Sequence, residues 1–299
     1  MKYRLLIVAA TIIWGSSFVV VKDAVTYVDP TWIIAIRFSA SALILAAIYF
    51  NRKSLFFKKE YVSIGLLFGL ALFAGYYYQT VGIQYTTPGK NAFFSGTYCI
   101  MVPFLAWFFT RKKANRFNIT AAVLAVIGIG LVSMGSESGL NKGDFMTLLC
   151  AFFFAIHICL VAKFSEGRDI YVLTMWQFAG VGLCSLAAAA LTGAPAPEFS
   201  LLSAGQIGSL AYLTVACTTL ALLFQNIGQA HIPPASASLL LSLESPFGVF
   251  FSVLLGAELL TGKMVFGVVL VFAAIIVSEY LPERLAARKG APKEALQEG

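Results

Sequence analysis

Charge is what this sequence has least of. Asp, Glu, Lys and Arg make up 12% of its 299 residues, where a water-soluble domain carries about a quarter. That leaves too little polar surface to wrap a water-facing globule. A mean hydropathy of +0.84 points instead to a chain that crosses a membrane many times. Catalytic signatures are missing as well. There is no Walker A segment, hence no sign of an ATP motor. HExxH, G-x-S-x-G and paired intramembrane aspartates are absent, which disfavours an intramembrane enzyme. No filter-like repeat or ring-forming charge pattern suggests a channel. Histidine occurs only twice. His157, the one inside an apolar run, has no second ligand at helical spacing, so no metal site is expected, and no cofactor is expected either. Cysteine builds no disulfide scaffold: Cys99, Cys150, Cys159, Cys184 and Cys217 all fall in apolar runs, where they read as small core residues.

What the sequence has in abundance is long apolar runs. A spanning helix needs about 20 mostly apolar residues. Ten runs qualify: 4–22, 31–50, 61–84, 88–109, 119–135, 145–163, 171–191, 205–227, 235–256 and 263–281. The links between them are short, which leaves no room for a soluble domain. The first run follows Lys2 and Arg4 and lacks an A-x-A-like exit, so it reads as a membrane helix and not as a cleaved signal. The stretch from Pro282 to Gly299 is polar and is expected to be a disordered tail.

The basic residues sort by side. With a cytoplasmic N-terminus, one side receives Lys2, Arg4, Arg52, Lys53, Lys58, Lys59, Arg111, Lys112, Lys113 and Arg116. Lys163, Arg168, Arg284, Arg288, Lys289 and Lys293 fall on that side too, and the other side receives only Lys22, Lys90, Lys142 and Lys263. Sixteen against four is a strong positive-inside bias. Both termini are therefore expected in the cytoplasm, in a multi-pass protein of the cytoplasmic (inner) membrane. The net charge of +7 is explained by topology, without a nucleic-acid partner.

The chain also repeats itself. YQTVG at 78–82 matches FQNIG at 224–228, an offset of 146. TTPGKNA (86–92) and HIPPASA (231–237) follow, and each opens a run interrupted by proline, Pro103 and Pro246. WGSSF (14–18) matches FAIHI (154–158), and IRF (36–38) matches WQF (176–178), both at an offset of 140. Five runs per half is an odd number, so the second half enters the membrane upside down, a sequence pattern of secondary transporters. The expected fold is an all-α integral membrane protein of ten transmembrane helices in two inverted five-helix repeats. The repeats cover residues 1–141 and 142–281, with the polar cytoplasmic tail at 282–299. A substrate site is expected near the midplane, between the halves.

WGSSF, the arginine of IRF, YTTPGKNAFF and above all SLLLSLESPFGVFFSVLLGAELLTGKMVFGVVLVFAAIIVSE (238–279) resemble the EamA-type members of the drug/metabolite transporter superfamily. The resemblance covers nearly the whole chain. It implies transport of a small metabolite, often an amino acid, with export as the favoured direction. Efflux of drug-like or cationic compounds is the alternative.

Polar residues inside the runs are the candidate site. Glu244 lies about 15 Å into its run, near the midplane. Facing lipid there, a carboxylate would cost on the order of 2.5–3.5 kcal/mol. It either binds a cationic substrate group or carries a coupling proton, or else it bonds to backbone freed at Pro246. Arg37, inside the second run, either ties to neighbouring carbonyls or draws an anionic group; its repeat partner is the neutral Gln177. Gln79 and Gln225 are matched amides, either interhelical bonds or pathway contacts. His157 is a candidate for a cavity hydrogen bond. Trp14 and Trp176 sit away from the interfacial belt, as packing or as cavity wall. Ser17 in WGSSF, Tyr78 in YQTVG and Tyr98 in the fourth run complete the set. Gly65 and Gly69 are expected to allow close helix packing. The partners expected are a small metabolite, the lipid bilayer and a coupling proton.

Overall fold

The computed structural model describes residues 1–110, 116–133, 140–255 and 259–281, and none of these forms a strand. Six of the described helices, those that begin at Pro30, Pro88, Lys142, Ile170, Ala204 and Gly262, start where a side chain caps the first turn. Helix α1 (Lys2–Ala24) is followed by α2 (Pro30–Ile48), which starts with proline at its first position and with the Asp29 carboxylate accepting from Thr31 N. After a short 3-10 turn and α3 (Lys53–Phe56) comes α4 (Lys59–Tyr85). Thr87 and Pro88 then open α5 (Pro88–Gly96) in the same way as Asp29 and Pro30 open α2. Next come α6 (Tyr98–Thr110) and α7 (Arg116–Ser133).

The second half begins with α8 (Lys142–Phe164), where Asn141 and Asp144 form a reciprocal capping box. Asp169 caps α9 (Ile170–Thr192), which Gly193 ends in the left-handed conformation at φ 65. A Ser203–Gln206 capping box starts α10 (Ala204–Tyr212), which runs through a π-helical turn (Leu213–Leu220) into α11 (Ala221–Gln229). Last come α12 (Pro234–Leu241), α13 (Glu244–Leu254) and α14 (Gly262–Ile275), the last followed by a π turn (Ile276–Tyr280).

Among the described residues, seven helices are long and apolar enough to cross a membrane: Lys2–Ala24, Pro30–Ile48, Lys59–Tyr85, Pro88–Phe109, Lys142–Phe164, Ile170–Thr192 and Ala204–Gln229. The fifth and tenth predicted runs are the shorter apolar helices Arg116–Leu131 and Gly262–Ser278. The ninth is divided between α12 and α13. Neither the π turns nor α3 was anticipated from the sequence. The loop charges Arg111, Lys112 and Lys113, and the 282–299 tail with Arg284, Arg288, Lys289 and Lys293, lie outside the described residues.

The two interrupted runs break before their prolines, not at them. Pro246 sits in the first turn of α13, where its missing N–H costs nothing. Its ring excludes a helical carbonyl four residues back, at Ser242, and Ser242–Leu243 is where the helix breaks. Tighter bonds replace the ladder there, Leu243 N to Leu240 O at 3.2 Å and Ser245 N to Ser242 O at 3.3 Å. The matching break falls at Thr97, between α5 and α6, with Pro103 further on inside α6.

Helix α4 packs along α8 and α9, α2 along α9, and α7 along α14, while α1 packs against α11 and α13. Close approach needs glycine. A methyl on Gly69 would lie 2.7 Å from the Gln177 carbonyl, and one on Gly65 2.3 Å from Trp176 Cβ, so the tight contact expected of this pair is made with α9. Large apolar side chains such as Leu43, Leu70, Phe108, Leu183 and Phe266 cover the outside. In water that surface would be a liability, whereas in lipid it is the solvent-facing side.

Candidate functional site

Where α1, α4, α8 and α11 converge on the breaks of the two interrupted helices, they enclose a cavity of about 470 Å³, its mouth included. Helical spacing supplies the walls. Leu72, Tyr76 and Gln79 project from one face of α4, Phe154, His157 and Ile158 from one face of α8, and Leu222 and Gln225 from α11. Trp14 and Phe18 come from α1. Tyr98 is the first residue of α6 and Glu244 the first of α13, with Leu241 just before the second break. Both breaks therefore aim the start of a new helix at the cavity.

Most of the lining residues fall into pairs at the offsets seen in the sequence. Trp14 pairs with Phe154 and Phe18 with Ile158, 140 residues apart. Tyr76 pairs with Leu222 and Gln79 with Gln225, 146 apart. The last pair is in contact: Tyr98 donates its hydroxyl to Glu244 Oε1 at 3.3 Å across the same 146-residue interval. The helices behind the walls are paired too. A methyl on Gly82 would meet Gly143 O at 3.0 Å, and one on Gly228 would meet Tyr3 O, also at 3.0 Å. That places α4 against the start of α8 as α11 lies against the start of α1.

Of the residues singled out from the sequence, Trp14, Gln79, Tyr98, His157, Gln225 and Glu244 line the cavity. Gln177 stands directly behind it. Its Oε1 lies 3.1 Å from His157 Nε2 and accepts from Asn226 Nδ2 at 3.0 Å, while Asn226 also donates to Thr174 Oγ1 at 2.9 Å. Arg37 is buried behind Tyr76. Its Nε donates to Thr218 Oγ1 at 2.9 Å, and its guanidinium carbon lies 5.5 Å from the Tyr76 ring centre. Ser17 is turned back on its own helix, donating to Trp14 O at 2.8 Å.

Five of the expected residues are not among those lining the cavity: Ser17, Arg37 and Gln177, just described, and Tyr78 and Trp176, which turn away from it. Tyr78 follows the α4 turn away from its neighbour Gln79 and stacks on Phe153 at 5.8 Å. Trp176 reaches to the loop end of the bundle, donating Nε1 to Phe56 O at 2.7 Å with its ring against Phe57.

The residues missed from the sequence are mostly apolar: Phe18, Leu72, Tyr76, Phe154, Ile158, Leu222 and Leu241. The matched pentapeptides WGSSF and FAIHI already contained Phe18, Phe154 and Ile158. One turn before each matched glutamine stand Tyr76 and Leu222. The supporting Thr218 and the Cys217 carbonyl, which accepts from Trp14 Nε1 at 2.8 Å, both belong to the unforeseen π turn. Wide π turns displace backbone carbonyls from the regular ladder, and here one serves the indole.

The EamA-like transporter family model matches residues 1–134 and 141–280. An uncharacterized transporter of Archaeoglobus fulgidus is 31% identical over 266 residues, covering 89% of this chain and 82% of the relative. The uncharacterized transporter YoaV of Bacillus subtilis is 23% identical over 288 residues, covering 93% and 97%. A protein crystal structure superposes with a TM-score of 0.79 at 14% identity, over 95% of this chain and 98% of that one. At that identity it speaks for the fold alone.

Proposed function

This chain belongs to the EamA-like transporter family, and we propose that it is a ten-span secondary transporter working by alternating access, its repeats 1–141 and 142–281 lying upside down to one another. The substrate is a small metabolite, an amino acid or a related compound, and export is the favoured direction. The membrane is the cytoplasmic one, with both termini inside. Glu244 is the candidate for proton coupling.

One observation carries this reading: the cavity is lined by residues paired across the two halves, and the pair Tyr98–Glu244 meets in a hydrogen bond. In an inverted repeat, exchanging the conformations of the halves moves the opening from one face of the membrane to the other. Residues that meet across the halves are the hinge of such an exchange and touch the substrate in both states. The two breaks support it further, because unwound backbone at membrane depth is tolerated only where it lines a cavity or is buried in protein.

Counterflow in proteoliposomes tests it. A transporter preloaded with unlabelled substrate accumulates label transiently and saturates. Conductance without saturation would indicate a channel, and chemical change of the solute an enzyme. Inverted membrane vesicles decide the direction.

A further inference from the structure

Most of the donors at the cavity are spoken for, the Gln225 amide and the Tyr76 hydroxyl being the lining groups, among the described residues, that are not. The Trp14 indole N–H goes to the Cys217 carbonyl at 2.8 Å. The Gln79 amide donates to Ser95 Oγ at 3.0 Å, which leaves its Oε1 to accept. The Tyr98 hydroxyl goes to Glu244. His157 Nε2 faces the Gln177 oxygen that already accepts from Asn226, so that ring nitrogen carries the proton and Nδ1 is left as an acceptor. Arg37 is engaged by Thr218 and lies behind the Tyr76 ring.

The acceptors are not spoken for. Glu244 is 6% exposed, and among the described residues Tyr98 alone bonds it, through one of its two oxygens. Among the described residues, no Lys or Arg lines the cavity. A buried carboxylate lacking a counter-charge is expensive, and here its second oxygen is left to whatever enters. Around it stand the rings of Trp14, Tyr76, Tyr98 and Phe154, whose faces attract cations.

We propose that the cavity selects a primary or secondary ammonium compound with an aromatic or apolar body and no carboxylate: a donor-rich cation that bonds Glu244 and the Gln79 carbonyl oxygen and rests on the aromatic rings. This rests on the reading of the cavity as the transport site, and among amino acids and related compounds it favours the related amines over the amino acids themselves. An amino acid would bring a carboxylate into a cavity that offers it no cation and already holds an acid.

The test is calorimetric binding to the purified full-length protein with four probes of one body: phenylethylamine, its N-trimethyl derivative, phenylalanine and phenylpropionate. The expected result is a dissociation constant for phenylethylamine at least about tenfold below those of phenylalanine and phenylpropionate. The trimethyl compound, a cation without N–H, is expected to bind more weakly than the primary amine. Glu244→Gln is expected to abolish the preference for the amine. Phenylalanine binding as tightly as the amine, or no binding of the amine, overturns the proposal on the wild-type protein alone, whatever the fate of the variant. Equal binding of the trimethyl compound overturns the N–H requirement. Counterflow of the same probes separates the two readings. Amine binding without amine counterflow keeps the ligand class and overturns transport, whereas phenylalanine counterflow without amine binding does the reverse.

Discussion

Glu244 is a single acid in an apolar stretch, and its chemistry follows from that isolation. If it trades a proton for a cation, lowering the pH cancels its charge and weakens substrate binding. Glu244→Gln keeps the size and the hydrogen-bonding capacity but cannot titrate. Its transport is expected to be flat with pH where the wild type falls off in acid, measured as uptake with and without an imposed pH gradient. Identical pH profiles for the two proteins would remove the titrating role and leave Glu244 as a structural partner at the break. Behind the cavity, Asn226 ties Gln177 to Thr174. Asn226→Leu takes one of two donors from the fully buried Gln177 oxygen, leaving His157, and sets an apolar side chain against it. The cost is expected to be about 1–3 kcal/mol, read as a lower Tm of the detergent-solubilised protein. An unchanged Tm would mean that the amides are interchangeable with packing.

Between helices, contact distance decides what a substitution does. A methyl on Gly143 would sit 2.4 Å from the Gly82 carbonyl and 3.0 Å from Thr86 N, both backbone atoms that cannot swing aside. Gly143→Ala is therefore expected to prise α8 from α4 and to cost about 1–3 kcal/mol by overpacking. Gly208, in α10, has nothing within 4 Å of an added methyl, and Ala there is expected to be neutral or stabilising by roughly 0.5–1 kcal/mol. Thermal unfolding of the two variants side by side checks the pair, and a reversed order would overturn this account of the packing. The start of α8 is also where Asp144, fully buried, closes its capping box, accepts from Thr86 Oγ1 at 2.5 Å and lies 3.8 Å from Lys90 Nζ. Asp144→Ala removes the return half of the capping box and a buried charge partner together, and a loss of about 3–5 kcal/mol is expected, against about 1 kcal/mol for an ordinary cap.

For the molecule as a whole, the decisive quantity is the number of crossings. Ten spans return the chain to the side it started from, and five place the 136–143 link on the opposite side. Reporter fusions at Gly299 and within that link should therefore report opposite compartments, with the Gly299 fusion cytoplasmic. Matching signals would overturn the ten-span proposal and, with it, the inverted relation of the halves.

Much was already legible in the sequence. The helices follow from apolar length and from caps such as Asp29–Pro30 and Thr87–Pro88, because a backbone in lipid has no other way to satisfy its own hydrogen bonds. The expected orientation follows from where lysine and arginine fall. Glu244 stood out because a lone acid in an apolar run has no inexpensive alternative to a cavity or a partner. The spacings of 140 and 146 were in the matched pentapeptides, and they run through the cavity lining from Trp14–Phe154 to Tyr98–Glu244. What the sequence did not decide is rotation. Tyr78 and Gln79 are neighbours in one motif, yet Gln79 lines the cavity while Tyr78 stacks on Phe153. Trp14 and Trp176 looked alike, yet one lines the cavity and the other anchors the end of α3. In a water-soluble helix the polar face announces which side is out. A helix apolar on both its lipid side and its packed side gives no such contrast. Which side chains meet is then settled by small-residue contacts such as Gly82 with Gly143, and those exist only once the helices have come together.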